Sequence, residues 1–414
     1  MGDEKERTVN DSTLCWLWLS SLTEINPNAK AALLKVFGTA KAAFHAPHGA
    51  FAGVEGLSKR DAQLLEARDL TAAQAIPDLC KAAGASFLTP DDDAYPNRLR
   101  EIYAPPPVLY VRGHLPDLGR EVPVAVIGTR HASPYGLKMG RNLAYELVKC
   151  KAVVVSGLTA GIDAAAAEGA LAAGGVCIGV LGTPIDAAKN NLAERVLKKG
   201  ALISEYPPGT PQLKTFFRAR NRIAAGISEG VVVVEAPEKS GTRLFVAEAL
   251  EQGKEVFAVP GNADSDTSSG TIRFLREGAQ LVTRGWEVAE ELTVSHPGVL
   301  DPSSHESFPQ ISCEAETPSA PVMEPSGKER KKKISKKRLD KPETPCYIDI
   351  TDAITNLSDV QKKIVLAVVS GHSSAEEIIA CTALSASTVL SQLTILEIRG
   401  ILQRDMLRGI IIKS

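Results

Sequence analysis

PVAVIGTRHASPYGLKMGRNLAYELVKCKAVVVSG, Pro123 to Gly157, holds two apolar runs separated by a stretch with the spacing of a helix. The first run ends at Gly128, and after Gly136 apolar residues recur at three- and four-residue intervals until AVVVSG begins a second strand. Strands this apolar are buried on both faces, and a helix between them predicts a right-handed crossover joining parallel neighbours. The alternation continues through VCIGVLG, GALISE, GVVVVEA, EVFAVPG and AQLVTRG to about Leu292. The pattern predicts an α/β fold with a doubly wound, mostly parallel sheet. The loop after the first strand opens onto a helix, whose N-terminal dipole favours negative charge.

Length and composition bound what surrounds this sheet. The 414 residues suffice for two or three domains, and 44% apolar with 23% charged content is that of an ordinary globular protein. A net charge of −2 leaves any nucleic-acid contact to a local patch. Seven scattered cysteines without a Cys-x-x-Cys pair predict a reducing, cytoplasmic setting and no metal site. The run LCWLWLSSL follows the mixed-charge GDEKER, unlike a secretory leader, and no segment reaches the roughly 20 apolar residues of a membrane helix.

Outside the sheet the chain changes character three times. Residues 10–88 are rich in Ala and Leu at helical spacing, broken at INPN, APHG and VEGLS, and predict a small helical domain ahead of an α/β domain at 89–295. Residues 296–350 read as a disordered linker, with nine basic residues between Lys328 and Lys341. Residues 351–414 show three helical patterns and a short hairpin, as in a winged helix. The third pattern, SASTVLSQLTILEIRG, has only Gln392 and Arg399 as long donors, which predicts an accessory or protein-contact role instead of duplex reading.

In an open parallel sheet, ligands gather beyond the carboxyl ends of the strands. Those ends read Gly128-Thr129-Arg130, Ser156-Gly157 on to Gly161, Gly182-Thr183, Ser204-Glu205, Ser240-Gly241-Thr242 and Pro260-Gly261-Asn262. Glycine lets backbone N–H groups approach an anion, and Arg130 adds a fork of donors matched to phosphate oxygens. The segment FFRARNRIAAG adds Arg218, Arg220, Asn221 and Arg222, with Lys214 just before it and Phe216 and Phe217 placed to stack. Cations interleaved with aromatics suit single-stranded nucleic acid, whose phosphates need neutralising and whose bases offer π faces. A solvated helix face with the phenylalanines in the core is the plain alternative. Residues two apart on a helix point to different sides, so Arg220 and Arg222 should divide two roles.

Enzyme readings lose support one by one. Gly-x-Gly-x-x-Gly is absent after the first strand, the second strand ends at Ser156 instead of an acid, and APEKSGT lacks the spacing of a Walker loop. His131 lies at a strand end without a partner motif. The expectation is no catalytic residue and no cofactor.

The motifs DDDAYPNRLREIYAPPPVLYVRG, VAVIGTR, VVSGLTAGIDAAA, GALISEYPPGT, FRARNRIAAGIS, VVVVEAPEKSGT and ALEQGKEVFAVPG, in this order, resemble the bacterial DNA-processing protein A (DprA, or Smf) family. The resemblance covers nearly the whole chain. It implies an extended Rossmann domain that binds single-stranded DNA, flanked by a sterile-alpha-motif-like (SAM-like) domain and a winged helix. It also implies a homodimer that loads RecA recombinase onto incoming DNA during natural transformation, with no turnover of substrate. On this resemblance, Gly128 and Arg130 match the family's Gly-Ser-Arg phosphate loop, with Thr129 in place of Ser. Ser156, Gly157, Gly161 and Asp163 match its second glycine motif, Arg220, Asn221 and Arg222 its Arg-Asn-Arg motif, and Gly241 and Thr242 a further glycine turn. Ala160 and Ala167 stand where the family often has Arg and His.

Two rivals remain at this level. The LOG-like phosphoribohydrolases of nucleoside monophosphates share a glycine-threonine turn, but theirs is followed by acids where Arg243, Leu244 and Phe245 follow Thr242 here. The other rival is an interaction scaffold whose Rossmann domain has lost its ligand.

Overall fold

The amino-terminal helices are α1 (Asp11–Ser21), α2 (Pro27–Phe37), α3 (Ala40–Phe44), α4 (Lys59–Ala67) and α5 (Thr71–Ala82). The first four start where the sequence offers a cap: Asn10, Asn26, Thr39 and Ser58 each accept from the backbone N–H three residues on. The structure is a computed structural model that describes residues 9–303, 359–369, 375–382, 402–405 and 409–412, with single positions between 384 and 396. Residues 1–318 form one unit and 319–414 another.

A short strand β1 (Ala85–Leu88), the turn of helix α6 (Asn97–Arg100) and β2 (Leu109–Gly113) lead into the parallel part. There follow β3 (Pro123–Ile127), α7 (Pro134–Lys149), β4 (Val153–Ser156), α8 (Ile162–Ala172), β5 (Cys177–Val180), α9 (Asn191–Leu197) and β6 (Ala201–Ser204). Helices α10 (Lys214–Ala219) and α11 (Asn221–Ile227) carry the chain back to β7 (Gly230–Val233). The unit closes with α12 (Gly241–Glu251), β8 (Glu255–Ala258), α13 (Ser269–Arg276), β9 (Gln280–Leu281) and α14 (Gly285–Thr293).

The nine strands run in the order β1-β2-β6-β5-β4-β3-β7-β8-β9, parallel from β6 to β9, with β1 and β2 antiparallel at one edge. The predicted doubly wound, mostly parallel sheet is present. Every residue of β3 is buried, and alternate side chains serve opposite faces: Val124 and Val126 join one apolar core, Ala125 and Ile127 the other. Because β4 and β7 flank β3 on opposite sides, the strand order reverses there, and such a reversal opens a crevice at the carboxyl ends.

The segment 10–88, expected to be helical throughout, ends in a strand. Strand β1 begins at Ala85 and pairs with β2, a run of four residues too short for periodicity to separate from the end of α5. Trp16, Trp18 and Leu33 share an apolar core with Val124 and Val126, and Ser20 Oγ lies 2.9 Å from Tyr110 Oη across that boundary. Residues 296–303 return to the end of α7, where the Asp301 N–H donates to the Cys150 carbonyl at 3.0 Å. The rest of the predicted linker, including the Lys328–Lys341 basic run, lies outside the described residues.

In the second unit, α15 (Asp359–Val369) and α16 (Ala375–Thr382) bring Ile364, Val365 and Ile378 into one core with Val389, Leu393 and Leu396. The strands β10 (Leu402–Asp405) and β11 (Gly409–Ile412) pair antiparallel, as the hairpin pattern predicts. Gln361 Nε2 donates to Gln392 Oε1 at 2.8 Å, which ties the Gln392 side chain of the third helical pattern to α15; Arg399 lies outside the described residues.

Candidate nucleic-acid interface

A cleft of about 560 Å³ lies over the carboxyl ends of β3, β4 and β7. Gly128, Thr129, Arg130, Asp163, Lys214, Phe217, Arg218, Arg220, Asn221, Gly241 and Thr242 all line it, so four segments far apart in sequence meet at one place. Arg130, Lys214, Arg218, Arg220 and Lys239 face a single carboxylate, Asp163, in this lining.

Close packing explains the glycines. A Cβ on Gly128 would stand 2.5 Å from Ile162 Cγ1 and 2.7 Å from the Glu235 carbonyl, so only glycine lets β3 end against α8 and β7. The Thr129 N–H donates to that same carbonyl at 2.8 Å. It is therefore committed to the fold and is not offered to an anion. Gly161 has φ +84°, and a side chain there would run into the Thr129 and Arg130 backbone. Gly161→Ala is expected to lower stability by about 1–3 kcal/mol, read as a shift in the chemical denaturation midpoint, because both the backbone angle and the space exclude a side chain.

The helix terminus that the sequence offered to an anion is already occupied. Glu235 accepts from the Ser133 N–H at 2.9 Å and from the Ser133 hydroxyl at 2.6 Å, so its carboxylate sits at the start of α7. The terminus that does border the cleft is that of α12, with Gly241 exposed and Ser240 Oγ buried and without a partner. Lys239, which also lines the cleft, carries no signal of its own in the sequence beyond its place in APEKSGT, a segment without the Walker spacing.

Four expected residues do not line the cleft. Ser156 is buried, donating to the Asp163 carbonyl at 2.8 Å and accepting from the Leu158 N–H at 3.1 Å, so it braces its own loop. Gly157 leaves the space that the Arg220 guanidinium and the Asp163 carboxylate occupy, and Gly161 packs against the first loop. Arg222 points away from the cleft into the protein, paired with Glu205 at 2.6 Å and donating to the Ala219 carbonyl at 3.2 Å. Two positions turn a helix by about 200°, which separates Arg222 from Arg220. A single position, about 100° of helix rotation, splits the phenylalanines. Phe216 is buried and stacks on Tyr206 with ring centroids 3.6 Å apart, whereas Phe217 is half-buried in the cleft with the Arg130 guanidinium 5.3 Å above its ring.

Arg220 and Asp163 share the cleft wall, each 7% exposed. Burial raises the Asp163 carboxyl above its usual range, opposed by the Arg220 guanidinium and by Thr159 Oγ1, which donates to it at 2.9 Å. Burial likewise pulls Arg220 down, with Asp163 opposing, and Arg220 Nε has no partner. Arg220 thus carries one unfilled, buried donor behind the crevice wall. Lys30 of α2 is also buried, and its ammonium is held down to about 8, chiefly by burial, with Glu205 opposing.

Fold and site together define a Rossmann-like α/β protein with a cationic cleft at its topological switch point. Residues 86–293 match the profile of the DNA recombination-mediator protein A family, and the chain belongs to that family of DprA and Smf proteins. Protein Smf of Synechocystis sp. is 30% identical over 416 residues, spanning 96% of this chain and 98% of its own. DNA processing protein DprA of Streptococcus pneumoniae is 42% identical over 204 residues, 48% of this chain and 72% of the relative. The X-ray structure of DNA processing protein A from Streptococcus pneumoniae superposes with a TM-score of 0.56 at 32% identity, covering 69% of this chain and 99% of that one. Among the described residues, no helix is long and apolar enough to cross a membrane.

Proposed function

We propose that the chain binds single-stranded DNA in the cationic cleft, protects it, and acts as a homodimer in the cytoplasm to load RecA recombinase onto incoming DNA during transformation. Membership of a recombination-mediator family supports the DNA role. The observation that carries the reading is the convergence of five cations on one cleft that also holds the half-buried Phe217 ring beneath the exposed Arg130 guanidinium. Phosphates need the cations, and unpaired bases, unlike a stacked duplex, can use the ring. The role is binding without turnover. Asp163, the one carboxylate of the lining, is buried and engaged by Thr159, and Arg243 and Leu244 are exposed where a phosphoribohydrolase would carry acids.

Titration with equal-length single- and double-stranded DNA tests the reading, and preference for the single strand is the expected result. Arg130→Ala should weaken that binding by about 1–3 kcal/mol, the range for charge-assisted hydrogen bonds, at an unchanged thermal transition. Unchanged affinity in a folded Arg130 variant, or release of base from nucleoside monophosphates by the wild type, would sink the reading. The role of the basic run is tested by truncation. Deleting residues 346–414 should leave single-strand affinity nearly unchanged, while deleting 328–414 should lower it and flatten its salt dependence, because fewer counterions are released. Loss of binding on the shorter deletion would contradict that division of labour.

A further inference from the structure

A second cleft, also about 560 Å³, opens between α2 and the chain from the end of β6 to α10. Arg218 is the one residue that borders both clefts. The floor of the second cleft is polar and incompletely satisfied. Arg222 occupies Glu205 Oε1, leaving Glu205 Oε2 and Arg222 Nε buried and without hydrogen-bond partners. Lys30 Nζ reaches the Ser20 carbonyl only at 3.5 Å, beyond ordinary N–H···O distances, although an ammonium has three donors. All three side chains are at least nine-tenths buried. Unmet buried polar atoms are costly, so this floor calls for a ligand that donates to one atom and accepts from two others.

Charge narrows the choice. Lys30, Arg218 and Arg222 are balanced by Glu24, Glu205 and Glu248 in the lining, so nothing here favours a phosphate as the first cleft does. The stacked Tyr206 and Phe216 rings form part of the wall. An unpaired nucleobase carries donors and acceptors on one planar edge and a π face beside it. We propose that the second cleft takes an unpaired base of the strand whose phosphates lie in the first cleft, with Arg218 bridging the two. Glu205 Oε2 accepts from an N–H of the base, and Lys30 donates to a carbonyl or ring nitrogen. The proposal rests on the single-stranded DNA reading.

Full-length protein is titrated with a labelled oligonucleotide and with an equally long strand that carries interspersed abasic sugars. Lys30→Met is expected to weaken the intact strand by about tenfold, the equivalent of one charged hydrogen bond, and the abasic strand by less than about twofold. Equal weakening of both strands, or of neither, would overturn the proposal while leaving single-strand binding in place. Failure of the wild type to bind either strand would overturn the reading it rests on as well. Labelling of Lys30 in the wild type by a small acylating reagent, read by mass spectrometry, is independent of the variant's folding. The intact strand should protect Lys30 and the abasic strand should not. Equal labelling with both strands, or protection by free deoxyguanosine without protection by the strand, would also overturn it.

Discussion

Arg222→Ala is expected to destabilise the larger unit by about 3–5 kcal/mol, the range for breaking a buried ion pair from one side. Its guanidinium and the Glu205 carboxylate meet at 2.6 Å with 7% and 5% of their side chains exposed, so the truncation strands a carboxylate away from water. The backbone is held as well, since Gln252 Nε2 donates to the Arg222 carbonyl at 3.1 Å. Urea denaturation with a second probe of the transition measures the change. A loss below about 1 kcal/mol would mean that Lys30 or water compensates Glu205 fully. Replacing both partners with apolar residues, Arg222→Met with Glu205→Leu, should recover most of the loss, because no unpaired charge then remains. Arg220→Ala should behave differently. It weakens strand binding, and it moves the Asp163 carboxyl still higher because the opposing cation is gone.

Lys30→Met is expected to stabilise the protein by about 3 kcal/mol at neutral pH, an advantage over the wild type that fades from about pH 8 to about pH 10.5. Burial holds the folded-state ammonium down to about 8 against an ordinary 10.5. Between those values the unfolded chain keeps a proton that the folded chain has released. The Lys30 contribution to stability therefore rises with pH across that window, and below it the penalty for the buried charge is present in full. The buried thiols of Cys15, Cys80, Cys150 and Cys177 act in the opposite sense within that window, and the buried phenols of Tyr95 and Tyr110 above it, because burial raises them above their usual range and the unfolded chain ionises first. The difference between wild type and variant isolates Lys30. Parallel stability profiles across the window would show that Lys30 is not held down.

Much of the architecture was legible in the chain. Runs such as AVVVSG and GVVVVEA can be satisfied only by burial on both faces, and the helices between them leave little choice but parallel crossovers. The residue types at the strand ends were legible too, because Gly128, Gly157 and Gly161 mark places where the backbone turns or packs closely. Helix phase alone implied that Arg220 and Arg222 must separate.

Which of those arginines meets the cleft was decided by tertiary packing. Glu205, seventeen residues before Arg222, claims that guanidinium and leaves Arg220 to line the crevice. Packing also gave Ser156 to its own loop, placed the Glu235 carboxylate at the start of α7, and brought Lys239 and Ser240 of a failed Walker frame into the cleft. The Lys30–Glu205–Arg222 cluster joins α2 to the end of β6 and to α11, and no spacing along the chain announces it. Periodicity and glycine placement report what a residue needs from its immediate neighbours. Hydrogen-bond and charge partners are assigned only when segments distant in sequence are packed together and compete for the same buried atoms.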